Sequence, residues 1–107
     1  MKKTLFASLL LVCSIAQAQY QTGNTLYSDL TARTSAEKMF ALGYVIGVTD
    51  AFIGKEVCPP SDVVQGQLME VVTNYLASRP QIRHQPADLL VVLALRQHWP
   101  CREGKKS

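Results

Sequence analysis

Histidine is scarce in this chain, which has only His84 and His98. They stand far apart, and no Cys, Asp or Glu completes a ligand spacing around either. A metal centre is therefore excluded, and surface or capping roles are expected for both. Paired carboxylates are also missing: Asp50 has no acidic neighbour in an otherwise apolar stretch. Without a nucleophile beside a base, a carboxylate pair or a metal cluster, the chain is read as a non-enzyme that needs no cofactor. No glycine-rich phosphate loop is present, because Gly43, Gly47 and Gly54 fall within and at the end of a helical pattern rather than after a strand. No basic stripe interleaved with aromatics marks a nucleic-acid surface. No apolar run reaches the ~20 residues that a membrane span needs, and no internal repeat or low-complexity segment appears.

What the chain does have begins with an export signal. Lys2 and Lys3 precede the apolar run Leu5–Ile15, and Ala16-Gln17-Ala18 forms a small-x-small cleavage site. Cleavage after Ala18 is expected, leaving residues 19–107 as one small domain. Lipidation at Cys13 is disfavoured because Val12 precedes it where a small residue is needed. The short signal suits bacterial export, so the compartment is read as the periplasm. Loss of Lys2 and Lys3 lowers the net charge from +3 to +1, and Arg102, Lys105 and Lys106 at the end of the chain supply much of the remaining positive charge.

Cleavage also removes Cys13, leaving Cys58 and Cys101. An even number of cysteines in an oxidising compartment points to one disulfide, with two free thiols as the alternative. A loop this long gives roughly 4 kcal/mol in the chain-entropy model. That is substantial for a domain too small to bury a large core.

The spacing predicts an all-α fold of three main helices with a short front helix over Thr25–Ala32, after a loose start at Gln19–Asn24. The first main helix opens at Ser35, with Thr34 as cap and Glu37 completing a capping box. Its apolar positions run from Met39 to Ile53, and Gly54 stops it. Cys58-Pro59-Pro60 breaks the chain. The second main helix is expected from Asp62 as cap, with Gln65 three residues later and Val64, Leu68, Val71, Val72, Tyr75 and Leu76 on one face. Arg79-Pro80 ends it. Pro86 suits the first position of the last helix. Leu89–Leu95 is apolar on every side, so a helix there must be central or partly an interface between copies, and a buried strand is the alternative.

The segment 43–54, "GYVIGVTDAFIG", poses the sharpest question. Gly43 and Gly47 share a helix face, and each costs ~1 kcal/mol relative to alanine. Close helix packing would offset that cost, with Ala51 extending the stripe and Ala94 on the last helix as the small counterpart. A ligand groove along the glycines is the alternative.

Gly43 to Ala51, then Cys58-Pro59-Pro60, Gln67-Leu68, Val71-Val72, Tyr75-Leu76, Arg79-Pro80, His84, Pro86-Ala87, Ala94-Leu95 and Trp99-Pro100-Cys101 form an ordered set. Together they resemble the Tai/Rap family of immunity proteins, antidotes to type VI secretion amidase toxins. The resemblance implies a small all-α disulfide-bonded domain, a homodimer, in the periplasm. Its partner would be a peptidoglycan amidase with a Cys-His active site, inhibited by obstruction of its groove. Many members carry an extra cysteine pair that Thr25–Leu42 lacks, so the front segment is expected to be less fixed here. A blocking protein needs a stiff protrusion with anchors. "RPQIRHQP", residues 79–86, is bounded by prolines and is taken as the partner-binding segment, with Arg79, Ile82, Arg83 and His84 as its residues and the last three exposed. An ordinary helix connection is the bland alternative. Against immunity stands a periplasmic helical chaperone or stress protein, or an envelope accessory protein without a toxin partner. The few, scattered carboxylates weigh against an acid chaperone.

Overall fold

The computed structural model describes residues 21–102. The expected signal peptide, residues 1–18, lies outside the described residues. Four α-helices follow one another: α1 (Gly23–Leu30), α2 (Ser35–Phe52), α3 (Gln65–Ala77) and α4 (Ala87–His98), with a 3₁₀ turn at Pro80–Ile82. The all-α expectation of three main helices and a short front helix holds.

α1 starts two residues earlier than the pattern suggested. Thr22 caps it: its hydroxyl accepts from the Thr25 N–H at 3.2 Å, and the Thr25 hydroxyl oxygen accepts from the Thr22 N–H at 3.0 Å. This reciprocal pair satisfies N–H groups that a helix start otherwise leaves open.

In α2 the expected Thr34–Glu37 capping box is incomplete. The Thr34 hydroxyl donates to the Glu37 carboxylate at 2.6 Å, and its oxygen takes no backbone N–H. The buried side of α2 carries Ala41, Val45 and Thr49, spaced by four. Thr49 satisfies its hydroxyl by donating to the Val45 carbonyl at 2.7 Å. Gly54 then reverses the chain at φ 82°, a left-handed conformation that glycine adopts without steric cost.

α3 begins later than expected. Asp62 is spent in the turn in which the Val63 N–H reaches the Pro60 carbonyl, and Val64 takes the cap position with extended backbone. Gln67, rather than Gln65, reaches back to accept from the Val64 N–H at 3.0 Å. The turn lets Val63 pack against the core before the helix starts.

α4 is the central helix. It buries more residues than any other helix: Ala87, Leu90, Val91, Val92, Ala94 and Leu95. Pro86 is its cap rather than its first residue. The covering is not complete all round, since Leu89 remains 43% exposed. The Cys58–Cys101 disulfide, with Cα atoms 4.9 Å apart, ties the end of α4 to the segment before α3. Beside it the Cys58 N–H donates to the Trp99 carbonyl at 2.9 Å.

Candidate functional site

The connection from α3 to α4 is pinned from both sides. After Arg79, whose backbone leaves the helical region, Pro80 opens the 3₁₀ turn. The Ile82 N–H then donates to the Arg79 carbonyl and the Gln85 N–H to the Ile82 carbonyl. These bonds tighten the segment locally. The front of the chain holds it globally: the Gly23 N–H donates to the Gln85 carbonyl at 2.9 Å and the Asn24 N–H to the Arg83 carbonyl at 2.7 Å. The Ala87 N–H in turn donates to the Gln21 carbonyl at 2.8 Å. The first N–H groups of α1, which have no partner inside their own helix, are thus capped by carbonyls of the connection. The front segment, expected to be loose, is a strap from Gln21 onward.

This arrangement separates the four residues assigned to partner binding. His84 is exposed, with Pro80, Gln81 and Pro86 also facing outward. Ile82 and Arg83 are half-buried rather than exposed. Ile82 packs against the core as an internal anchor. Arg83 lays its guanidinium over the Tyr27 ring at 4.2 Å, and its Nε is buried without a partner among the described residues. Arg79 turns away from the connection and lies over the Tyr75 ring at 3.9 Å.

Arg79 lies in a groove of about 330 Å³ between α3 and α4, lined also by Asn74, Tyr75, Ser78, Gln97 and His98. Sequence reading missed these neighbours. The spacing Tyr75–Arg79, one helical turn, was the available signal. The approach of Gln97 and His98 depends on how α4 crosses α3. At the far end of α4, His98 meets Trp99 edge-to-face with ring centres 4.5 Å apart.

The outer face of α2 is a second feature. Gly43 and Gly47 do not pack against α4: both are exposed, and a Cβ added to either would meet nothing within 4 Å. The helix turns its Ala41–Val45–Thr49 side inward instead, and Thr49 satisfies its hydroxyl locally on the Val45 carbonyl. The glycines lie in the open on the helix that also leaves Met39 and Phe40 63% and 55% exposed. Burial raises the Tyr44 phenol above its ordinary pKa; the Asp88 charge adds to the rise, and a hydrogen bond to the Asp88 backbone works against it.

A third feature is an open cavity of about 590 Å³ beside the disulfide, lined by Ile53, Cys58, Pro59, Pro100 and Arg102 among others. Among the described residues, no cluster of His, Cys, Asp and Glu could hold a metal, and no helix is long and apolar enough to cross a membrane.

The described residues form a four-helix domain tied by one disulfide, and its candidate sites are surface features. The family comparison is specific: the model of the Rap1a immunity proteins matches residues 9–101, so the chain belongs to that family. Its role is therefore immunity toward a type VI secretion effector. No curated protein matches the chain significantly.

Proposed function

We propose that the protein is exported to the periplasm with loss of residues 1–18, leaving 19–107 as the functional domain. There it binds a type VI secretion peptidoglycan amidase and inhibits it, without catalysis of its own, by covering the active-site groove. The observation that carries this reading is the strapping of residues 79–86. A segment held by α1 at Arg83 and Gln85 loses little conformational entropy on docking, which is what an obstructing element requires. His84 and Gln81 would meet the toxin directly, Arg83 and Arg79 from the flanks, and Ile82 would hold the segment from within.

Co-expression in the periplasm tests the reading. The wild-type protein should rescue cells from an amidase encoded beside its gene, and failure to rescue would remove the amidase assignment. Changing Gln81 and His84 together to alanine should abolish rescue while leaving the helical circular dichroism unchanged. Full rescue by that variant would move the binding surface elsewhere.

The outer face of α2 favours self-association as well. Two copies meeting through Gly43 and Gly47 could bring their backbones close, with Met39 and Phe40 as apolar flanks, in the self-complementary manner of a two-fold dimer. This would return the helical cost of the two glycines, which no contact among the described residues offsets.

A further inference from the structure

The groove between α3 and α4 carries the Arg79 cation, with no anion beside it among the described residues. The Arg79 guanidinium carbon lies 3.9 Å from the centre of the Tyr75 ring. Its Nη1 donates to the Tyr75 carbonyl at 3.4 Å and to the Ser78 hydroxyl at 3.1 Å. Its Nη2 reaches the Gln97 side-chain oxygen at 3.5 Å. The Nε–H makes no bond among the described residues, and Nη2 has a second hydrogen beside the one that faces Gln97. Nε and Nη2 share one edge of the guanidinium, and such an edge fits a carboxylate with two parallel hydrogen bonds. Among the described residues no Asp or Glu lines the groove, whereas Asn74 and His98 add further donors around it. By contrast Arg96, on the same helix as Gln97, is paired with Glu56 at 2.8 Å.

We propose that this groove is a docking site for an acidic segment of the partner protein, with Arg79 receiving an Asp or Glu carboxylate on its Nε–Nη2 edge. The proposal deepens the immunity reading by naming the chemistry of the contact, and it assigns Arg79 a role separate from the connection it introduces. Charge complementarity supports this occupant: the lining offers donors and a cation without a counter-charge among the described residues. The contact with Tyr75 and the bonds to Ser78 and Gln97 hold the guanidinium in place, so little rotamer freedom is lost when the carboxylate arrives.

The test does not depend on a toxin. The full mature chain, labelled with ¹⁵N, is titrated with an acetylated and amidated peptide containing Glu and Asp, and separately with the same peptide carrying Gln and Asn. The acidic peptide should saturably shift the Arg79 Nε–H, the Asn74 and Gln97 side-chain amides and the His98 resonances, while the amide peptide should not. Arg79→Gln should weaken binding at least ~10-fold, as expected for loss of hydrogen bonds to a charged group. His98→Gln, which leaves the fork intact, should weaken it less. Equal shifts from both peptides, shifts confined to other surfaces, or unchanged affinity in Arg79→Gln would overturn the proposal. A soluble muropeptide that displaces the acidic peptide would also overturn it by reassigning the groove to the cell wall. If the acidic peptide binds the groove but the periplasmic rescue fails, the amidase assignment falls and the carboxylate site stands.

Discussion

Gly23 and Leu90 meet so closely that no side chain fits between them. A Cβ on Gly23 would stand 2.5 Å from Leu90 Cδ1 and 2.8 Å from the Arg83 carbonyl oxygen. The strap that holds the connection between α3 and α4 thus depends on the absence of one methyl group. Gly23→Ala should force the front segment away from both the core and the connection. Overpacking of this kind costs roughly 1–3 kcal/mol, which urea denaturation would show as a lower midpoint. Amide hydrogen exchange at Gly23 and Asn24, whose N–H groups bond Gln85 and Arg83, should accelerate first. An unchanged midpoint would mean that the strap contributes nothing to the fold.

Gly43 and Gly47 should behave in the opposite way. With nothing within 4 Å, alanine at either position should stabilise the monomer by up to ~1 kcal/mol through helix propensity. Gly43→Leu and Gly47→Leu should also leave the monomer folded. If the α2 face joins two copies, these bulky variants should convert a dimer to a monomer in sedimentation velocity. Retention of the dimer would place the interface on another surface.

Reduction of the disulfide should be costly, because the bridge closes a sequence separation of 43 residues. The chain-entropy model gives about 4 kcal/mol for a loop of that size. Cys58→Ser with Cys101→Ser should therefore lower the melting temperature sharply. It should also release the Cys58–Trp99 backbone contact, visible as faster exchange of the Cys58 amide. A melting curve that coincides with that of the oxidised protein would contradict this.

Tyr44 sets an alkaline limit. Its folded pKa is raised first by burial and then by Asp88, so the native state favours the neutral phenol. A raised folded value means that the contribution is fully present below the unfolded pKa and is lost as pH rises through the folded one. The loss should therefore begin above about pH 10, the ordinary phenol range. Tyr44→Phe should flatten the stability profile in that window and leave it unchanged near neutrality. An identical alkaline decline in the variant would assign the effect to other groups.

Much of the architecture could be read before any coordinates. Prolines at 59, 60, 80 and 86 and Gly54 punctuate the helices, and these are local effects of backbone sterics. The pairing of Cys58 with Cys101 was expected from the two cysteines that lie beyond the proposed signal segment. Helix starts were less accurate, as at Val64, because a turn that seats Val63 on the core competes with the cap offered by Asp62.

The segment proposed to bind the partner was legible as a stretch but not as a surface. Arg79, Ile82, Arg83 and His84 are close in sequence, yet the structure sends them to a groove, the core, an aromatic ring and solvent. Their partners, Tyr75, Tyr27, Gln85 and Gly23, depend on which helices cross. Nothing local to residues 79–86 encodes the hydrogen bonds that α1 supplies.

By itself, then, the sequence determined the number and type of the helices, their ends to within a few residues, and the disulfide. All of these follow from short-range sterics, periodicity and residue inventory. Only the tertiary structure decided which side of α2 faces α4. Apolar residues surround that helix, so the choice between the Ala41–Val45–Thr49 side and the Gly43–Gly47 side rested on long-range packing that no periodicity specifies. The strap at Gly23 and the free edge of Arg79 were decided in the same way, by contacts between segments far apart in the chain.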